Sequence, residues 1–234
     1  MDNPTILISL EKQRDSLLEK LKATSISALY KKQYNDIKAG RLFVFDSEER
    51  QMLSDLKKLS NDISLDSILQ NKLTEYSGLD NDVLTAYFQK EFERVFDEIT
   101  RSGKQDQMQA LFIEYDYYYH YSSNINCYGR QEYPIIEQPR YLTGECDLNK
   151  PVLFLNNGLS FQPAWVDCEA FDDLDYLEIN FELETLFKLH SRTLLHKSLD
   201  NLSISGALDI FHNRPFSFYI NEHDSEVMIL YKMN

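Results

Sequence analysis

The chain has few of the residues that build turns, linkers and membrane spans. Its 234 residues include only 7 Gly and 6 Pro, which argues against long flexible linkers and repeats with glycine turns. Its apolar stretches are short, such as residues 152–155, whereas a membrane-spanning helix needs about 20 apolar residues. Residues 1–4 lack the basic start and long apolar run of a secretory signal. We therefore expect no membrane partner.

Cysteine is scarce as well. The three cysteines, Cys127, Cys146 and Cys168, are an odd number without paired spacing. That pattern fits free, mostly buried thiols in a reducing compartment better than a disulfide framework. The sequence thus predicts a cytoplasmic protein.

The common catalytic motifs are missing. The sequence contains no phosphate-cradling glycine loop, no Gly-x-Ser-x-Gly elbow, no Cys-x-x-Cys pair and no His-Glu-x-x-His helix. These absences count modestly against the common enzyme families. We expect a protein that is not an enzyme and that needs neither a cofactor nor a metal.

What the chain does have is a globular composition with unevenly distributed charge. Apolar residues at 43% and charged residues at 26% can support a sizeable core. Residues 1–104 hold 16 Lys and Arg against 18 Asp and Glu, a net charge of −2, whereas residues 105–234 hold 8 against 20, a net charge of −12. Free nucleic acid is therefore a poor partner for the second part, and a basic protein is a better one.

Residues 1–104 are predicted to be helical. The first helix follows Asn3 and Pro4, which suit a cap and a first turn. A second helix is expected from about Ser47, and a third begins at Asp80 or Asn81. Apolar residues recur at helical spacing along the third helix. Its predicted buried stripe consists of Leu84, Phe88, Phe92, Val95 and Ile99.

Residues 105–234 are predicted to mix strands with one long helix. Strands are expected at residues 110–117, 125–128, 141–142, 152–155, 216–220 and 227–231. The last two form a β-hairpin around a polar turn, and the helix runs from about Asp175 to Leu202. The predicted fold is thus α+β, with a helical region 1–104 and an acidic α+β region 105–234 that carries a mainly antiparallel sheet. The two regions could also form one continuous domain.

The strongest compositional signal is an acidic stretch from Pro151 to Phe187, which contains no Lys or Arg. Its carboxylates are Asp167, Glu169, Asp172, Asp173, Asp175, Glu178, Glu182 and Glu184. Such a surface would attract a cationic partner and favour one orientation of encounter. Carboxylates are also common at the start of a helix, because its free N–H groups and dipole favour negative charge. That explanation covers only the carboxylates in and just before the first turn. Both readings stay open.

Aromatic residues offer possible apolar anchors for a partner. Five tyrosines cluster at residues 115–121, and Trp165 is the single tryptophan. Tyrosine gives a binding surface large contact area at low entropic cost, but on a strand half of such a cluster packs inward by geometry. Tyr118 follows the polar face of Glu114 and Asp116, so it is the expected exposed member.

One set of residues predicts an alternative, enzymatic function. If residues 114–120 form one strand, Glu114, Asp116 and His120 place two carboxylates and an imidazole on one face. Such a face could bind a divalent metal or perform acid–base chemistry. His190 and His196, six residues apart in the predicted helix, do not share a face as a metal pair would, and His190 is expected to hydrogen-bond in the core.

At residues 111–116 and 163–167 the chain resembles small acidic immunity proteins of bacterial polymorphic-toxin loci. The likeness covers the C-terminal half and includes no diagnostic residue set, so no family site is carried over. The resemblance implies a cytosolic inhibitor that binds a toxin domain tightly and occludes its active site.

Three functional hypotheses follow. The leading one is an immunity-type inhibitor whose acidic C-terminal half binds a basic toxin domain. Its predicted partner-binding residues are Asp167, Glu169, Asp172, Asp173, Asp175, Tyr118 and Trp165. The second is the metal-dependent enzyme, and the third is an oligomeric scaffold that uses the N-terminal helices as its interaction face.

Overall fold

The structure of the protein is a computed structural model that describes most of the chain. The described residues are 2–42, 46–62, 64–116, 120–130, 140–141, 150–164, 179–222 and 226–234. The chain divides into two compact units. The sheet unit consists of residues 1–13, 80–165 and 188–234, and the helical unit consists of residues 14–79 and 166–187.

The described residues form six α-helices. They are α1 (Asn3–Lys22), α2 (Ile26–Lys38), α3 (Asp46–Leu59), α4 (Ser64–Ser77), α5 (Asn81–Ser102) and α6 (Ile179–Ile204). The predicted first, second and third helices correspond to α1, α3 and α5, and the predicted long helix corresponds to α6. The sequence analysis did not resolve α2 and α4 as separate helices.

Side-chain caps determine where these helices begin. Asp2 starts α1 by accepting the Thr5 backbone N–H at 3.0 Å. The prediction that Asn3 is this cap is wrong, because the Asn3 amide exchanges two hydrogen bonds of 2.8 Å with the backbone of Lys232. Asp80 caps α5 as predicted, accepting the N–H groups of Asp82 and Val83.

Within the described residues, six strands lie in one sheet. They are β1 (Ala110–Asp116), β2 (His120–Tyr128), β3 (Arg140–Tyr141), β4 (Leu153–Leu155), β5 (Phe216–Glu222) and β6 (Glu226–Met233). Their order across the sheet is β3-β6-β5-β1-β2-β4. Only β1 and β5 pair in parallel; every other pair of neighbours is antiparallel. The predicted α+β fold with a mainly antiparallel sheet, one long helix and a C-terminal hairpin is confirmed.

An aromatic core joins α5 to the sheet. The predicted stripe of α5, from Leu84 to Ile99, is buried. Phe96 contacts the rings of Phe211 and Phe218 at centroid distances of 5.2 and 6.3 Å. Such edge-to-face and tilted ring pairs add to the stabilisation that comes from removing apolar area from water. Because α5 packs in this way, it belongs to the sheet unit, so the two units do not divide at residue 104.

The helical unit has its own core. A carboxylate from α4 caps α2 there: Asp66 accepts the Ile26 N–H at 2.5 Å and the Ser27 hydroxyl at 2.7 Å. Burial raises the pKa of Asp66, but the hydrogen bonds from Ser27 and Ile26 outweigh it and lower that pKa overall. The buried apolar residues of this core are Leu21, Ile26, Tyr30, Ile37, Leu56, Leu65, Leu69, Leu73, Tyr76, Ile179, Leu183, Leu186 and Phe187.

No helix among the described residues combines the length and the apolar character that crossing a bilayer requires. The longest helix, α6, is interrupted by charged and polar residues along its whole length, including Lys188, Arg192 and Asp200. Several of these polar residues are buried. They position the groups considered next.

Candidate functional site

The residues that the sequence predicts to contact a partner lie outside the described part of the chain. These residues are Asp167, Glu169, Asp172, Asp173, Asp175, Tyr118 and Trp165. Their role therefore stays a prediction. The structure does describe the end of the acidic stretch, where α6 begins.

Two carboxylates at the end of the acidic stretch are held inside the helical unit. Glu182 forms an ion pair with Lys20 of α1, and its side chain is only 17% exposed. Glu184 is buried. Neither carboxylate forms part of an open acidic surface, so any partner-binding role falls to the carboxylates between residues 167 and 178.

The residues of the metal hypothesis are divided between two strands. Asp116 ends β1 and His120 begins β2, and the two lie opposite each other in the antiparallel register. The prediction that all three residues lie on one strand is therefore wrong for His120, whereas Glu114 and Asp116 do share β1. The Glu114 carboxylate accepts a hydrogen bond of 3.0 Å from the Asn126 amide on β2. The side chains of Asp116 and His120 lie outside the described part, so the metal hypothesis itself stays a prediction.

Nowhere in the described ranges do three or more His, Cys, Asp or Glu side chains come together in a way that could hold a metal ion. Cys127 is the cysteine whose surroundings are described, and it is a buried free thiol. Burial raises the pKa of this thiol to about 12, which leaves almost no thiolate at neutral pH. Cys127 is therefore a packing residue of β2.

Both histidines of α6 are buried, as expected for His190. His196 is 1% exposed, and its Nδ1 lies 2.7 Å from the Leu230 carbonyl oxygen of β6. Because a carbonyl can only accept, Nδ1 carries the proton. Burial lowers the pKa of His196, although the hydrogen bond to Leu230 and the nearby Asp200 oppose that shift. His196 thus joins α6 to the sheet as a neutral ring.

A charged cluster lies where the parallel strands β1 and β5 end. We call Tyr115, Lys188, Arg192 and Glu222 the carboxyl-end cluster. Tyr115 and Glu222 are opposite each other in the β1–β5 register, and Lys188 and Arg192 are one helical turn apart on α6. Lys188 forms an ion pair of 2.7 Å with Glu222, and Arg192 Nη2 donates to the Tyr115 hydroxyl at 3.3 Å.

The carboxyl-end cluster is shielded from water. The side chains of Lys188 and Glu222 are 13% and 15% exposed, and Arg192 is 7% exposed. Charges in such a place are costly unless they are paired, so they are seldom placed there for stability alone. Sequence reasoning missed this cluster. Its one available signal was a pair of cations four residues apart in the predicted long helix.

A second charged group, on α5, holds a loop in place. Arg94 pairs with Glu91 and Glu98 at 3.0 and 3.2 Å and donates to the Asn157 carbonyl at 3.1 Å and to the Gly158 carbonyl. Burial opposes the charged form of Arg94, but the hydrogen bond and charge of Glu91 raise its pKa overall. All its bonds lead to the protein itself, so this group has a structural role.

Comparison of the chain with protein-family models, with curated proteins and with solved structures gives no match. Function is therefore inferred from the residues of this chain. Two features remain for that purpose: the acidic stretch that precedes α6 and the carboxyl-end cluster.

Proposed function

We propose that the protein is a protein-binding inhibitor of the immunity type, which neutralises a basic toxin domain through its acidic stretch. One observation carries the proposal: residues 151–187 contain eight carboxylates and no Lys or Arg. The Glu182–Lys20 pair and the buried Glu184 remove two of these carboxylates from the proposed contact. The contact uses five of the other six.

The contact would work by electrostatic attraction followed by apolar anchoring. A surface of one sign steers an oppositely charged partner and can raise its association rate by about 10-fold to 1000-fold at low salt. Aromatic side chains then supply the energy of a well-packed centre. The proposal gives the electrostatic role to Asp167, Glu169, Asp172, Asp173 and Asp175, and the anchoring role to Tyr118 and Trp165.

A basic cleft is the surface such an inhibitor would cover. Toxin domains that attack nucleic acid need cationic side chains to bind phosphates. An acidic protein can imitate the phosphate charge, occupy the cleft and exclude the substrate. The chain's resemblance to immunity proteins of polymorphic-toxin loci supports the same interpretation.

The test compares two variants that lose the same number of negative charges. The first replaces the five carboxylates of the electrostatic role by Asn or Gln. The control neutralises five exposed carboxylates elsewhere, namely Glu19, Glu75, Asp82, Glu93 and Asp97. Each tagged protein is used to capture partners from a lysate of the source cell, and bound proteins are eluted in steps of rising NaCl and identified by mass spectrometry.

The proposal expects a basic partner that the wild type and the control variant retain and the first variant loses. Elution should begin as ionic strength rises from about 0.01 to 0.15 M, over which the Debye length falls from about 30 to 8 Å. A captured partner that is not basic, or one that both variants retain equally, would show that the acidic stretch does not carry the interaction.

A further inference from the structure

Among the described residues, Arg192 has fewer partners than a buried guanidinium normally has. It is only 7% exposed, yet the Tyr115 hydroxyl at 3.3 Å is its one hydrogen-bond partner within that part of the chain. Its Nε–H is enclosed and makes no hydrogen bond to a described residue. Leaving such a donor unsatisfied is costly, more so when the group is charged.

A second donor points to the same place. Because an arginine has no acceptor atom, the Tyr115 hydroxyl accepts the bond from Arg192 and keeps its own proton free to donate. Tyr115 is 6% exposed. The Nε–H of Arg192 and the O–H of Tyr115 are thus two shielded donors, one of them charged, on side chains that are joined by the Nη2–hydroxyl hydrogen bond.

Among its own four residues, the carboxyl-end cluster has more positive than negative charge. Lys188 is offset by Glu222 at 2.7 Å, whereas none of the described carboxylates lies within ion-pair distance of Arg192. The carboxyl-end cluster therefore carries two cations and one anion. It also lies at the carboxyl ends of the parallel strands β1 and β5.

The geometry points to an oxyanion-binding site at Arg192 and Tyr115, which takes the carboxylate or phosphate group of a ligand. One oxygen would accept from Nε–H of Arg192 and another from the hydroxyl of Tyr115. A guanidinium suits this role because its charge makes its hydrogen bonds to carboxylate and phosphate shorter and stronger than neutral ones. The inference goes beyond the proposed inhibitor function and does not depend on it, since no residue of the acidic stretch takes part.

The experiment measures thermal unfolding of the full chain with inorganic phosphate, sulfate or acetate, against chloride at the same ionic strength. A ligand at about ten times its dissociation constant that binds only the folded state raises the Tm of a chain this size by roughly 3–6 °C. We expect that shift for wild type with at least one of the oxyanions. We expect it to disappear in Arg192→Met and to shrink in Tyr115→Phe.

Lys197→Met is the matched control. Lys197 is also a cation of α6, but it pairs with Glu11 at 2.7 Å and is half exposed, so its loss should leave the oxyanion shift unchanged. Isothermal titration with the responding anion then gives the affinity of each variant directly. Tyr115→Phe keeps the test usable if Arg192→Met does not fold, because it removes a single hydroxyl.

Three results would overturn the inference. The first is a wild type that no oxyanion stabilises beyond chloride. The second is an equal shift in wild type and Tyr115→Phe or Arg192→Met. The third is oxyanion binding that appears only after the five carboxylates between residues 167 and 175 are neutralised, which would mean that the chain's own carboxylate occupies Arg192. None of these outcomes bears on capture of a basic partner, so the two proposals can fail separately.

Discussion

Gly158 lies so close to Ser123 that even a methyl group has no room. A Cβ atom at Gly158 would come within 2.4 Å of the Ser123 hydroxyl oxygen, 2.5 Å of its carbonyl oxygen and 2.9 Å of its carbonyl carbon. Three hydrogen bonds hold this contact. The Ser123 N–H donates to the Leu159 carbonyl at 2.8 Å, and the Gly158 N–H donates to the Ser123 carbonyl at 2.7 Å. The Leu159 N–H donates to the Ser123 hydroxyl oxygen at 2.8 Å.

Gly158→Ala must therefore separate the loop from β2. Overpacking of this kind costs about 1–3 kcal/mol, and each weakened hydrogen bond costs about 1 kcal/mol more. We expect a total loss of about 2–4 kcal/mol, or a fall in Tm of roughly 4–16 °C for a chain of this size. Thermal unfolding followed by circular dichroism measures the loss, and faster hydrogen exchange at the amides of Gly158 and Leu159 locates it.

Two further variants separate a clash from a general effect of replacing glycine. Gly103→Ala adds a methyl group at a positive φ of 65° with no atom within 4 Å, so it should cost only about 1 kcal/mol. Ser123→Ala should not rescue Gly158→Ala, because two of the three crowded atoms belong to the Ser123 backbone. The reasoning is refuted if Gly158→Ala is no more destabilising than Gly103→Ala, or if Ser123→Ala restores stability.

The remaining predictions concern His196, Asp66 and Cys127. Burial lowers the folded-state pKa of His196 below 6.5, so the unfolded chain binds more protons and stability should fall as pH drops below about 6.5. Gln does not titrate but can still donate to Leu230, so between pH 7 and pH 5 His196→Gln should lose less free energy of unfolding than the wild type. Urea unfolding at the two pH values measures this, and an equal loss in both proteins would contradict the prediction. Asp66→Ala leaves the N-cap Ser25 of α2 in place but removes the acceptor of the Ile26 N–H and the Ser27 hydroxyl, and should cost about 1–2 kcal/mol. Asp66→Asn should cost less at neutral pH, and its free energy of unfolding should depend less on pH in acid. The reason is that the lowered pKa of Asp66 stabilises the folded wild type, and this stabilisation is lost as pH falls through that pKa. Cys127 should resist iodoacetamide in the native protein at pH 8 and react in urea, as peptide mapping would show; native labelling would mean that β2 opens.

The elements that the sequence analysis placed correctly are those whose signals are local. The α5 stripe repeats every three to four residues and follows a capping Asp80, so periodicity and cap chemistry agree over more than five turns. The β5–β6 hairpin has alternating apolar residues on both sides of a polar turn. In each case a residue's nearest neighbours in sequence are also its partners in space.

The failures involve partners that are distant in sequence. Asn3 has a side chain suited to a helix cap, but the Lys232 backbone, 229 residues away, binds it and leaves the cap to Asp2. A strand through residues 114–120 is a reasonable expectation from local composition, but Asp116 and His120 belong to two antiparallel strands, β1 and β2. Neither outcome has a local signature.

The candidate sites show the same division. Composition alone reveals the acidic stretch, because charge can be counted without knowing the fold, and it determines that the C-terminal half attracts cations. Only the tertiary structure places Tyr115, Lys188, Arg192 and Glu222 together, since they come from two strands and a helix. Only the tertiary structure shows that Glu184 is buried and that Glu182 is paired. Sequence determines how many charges the chain carries, whereas burial and pairing, which set the energy of each charge, depend on which distant segments pack around it.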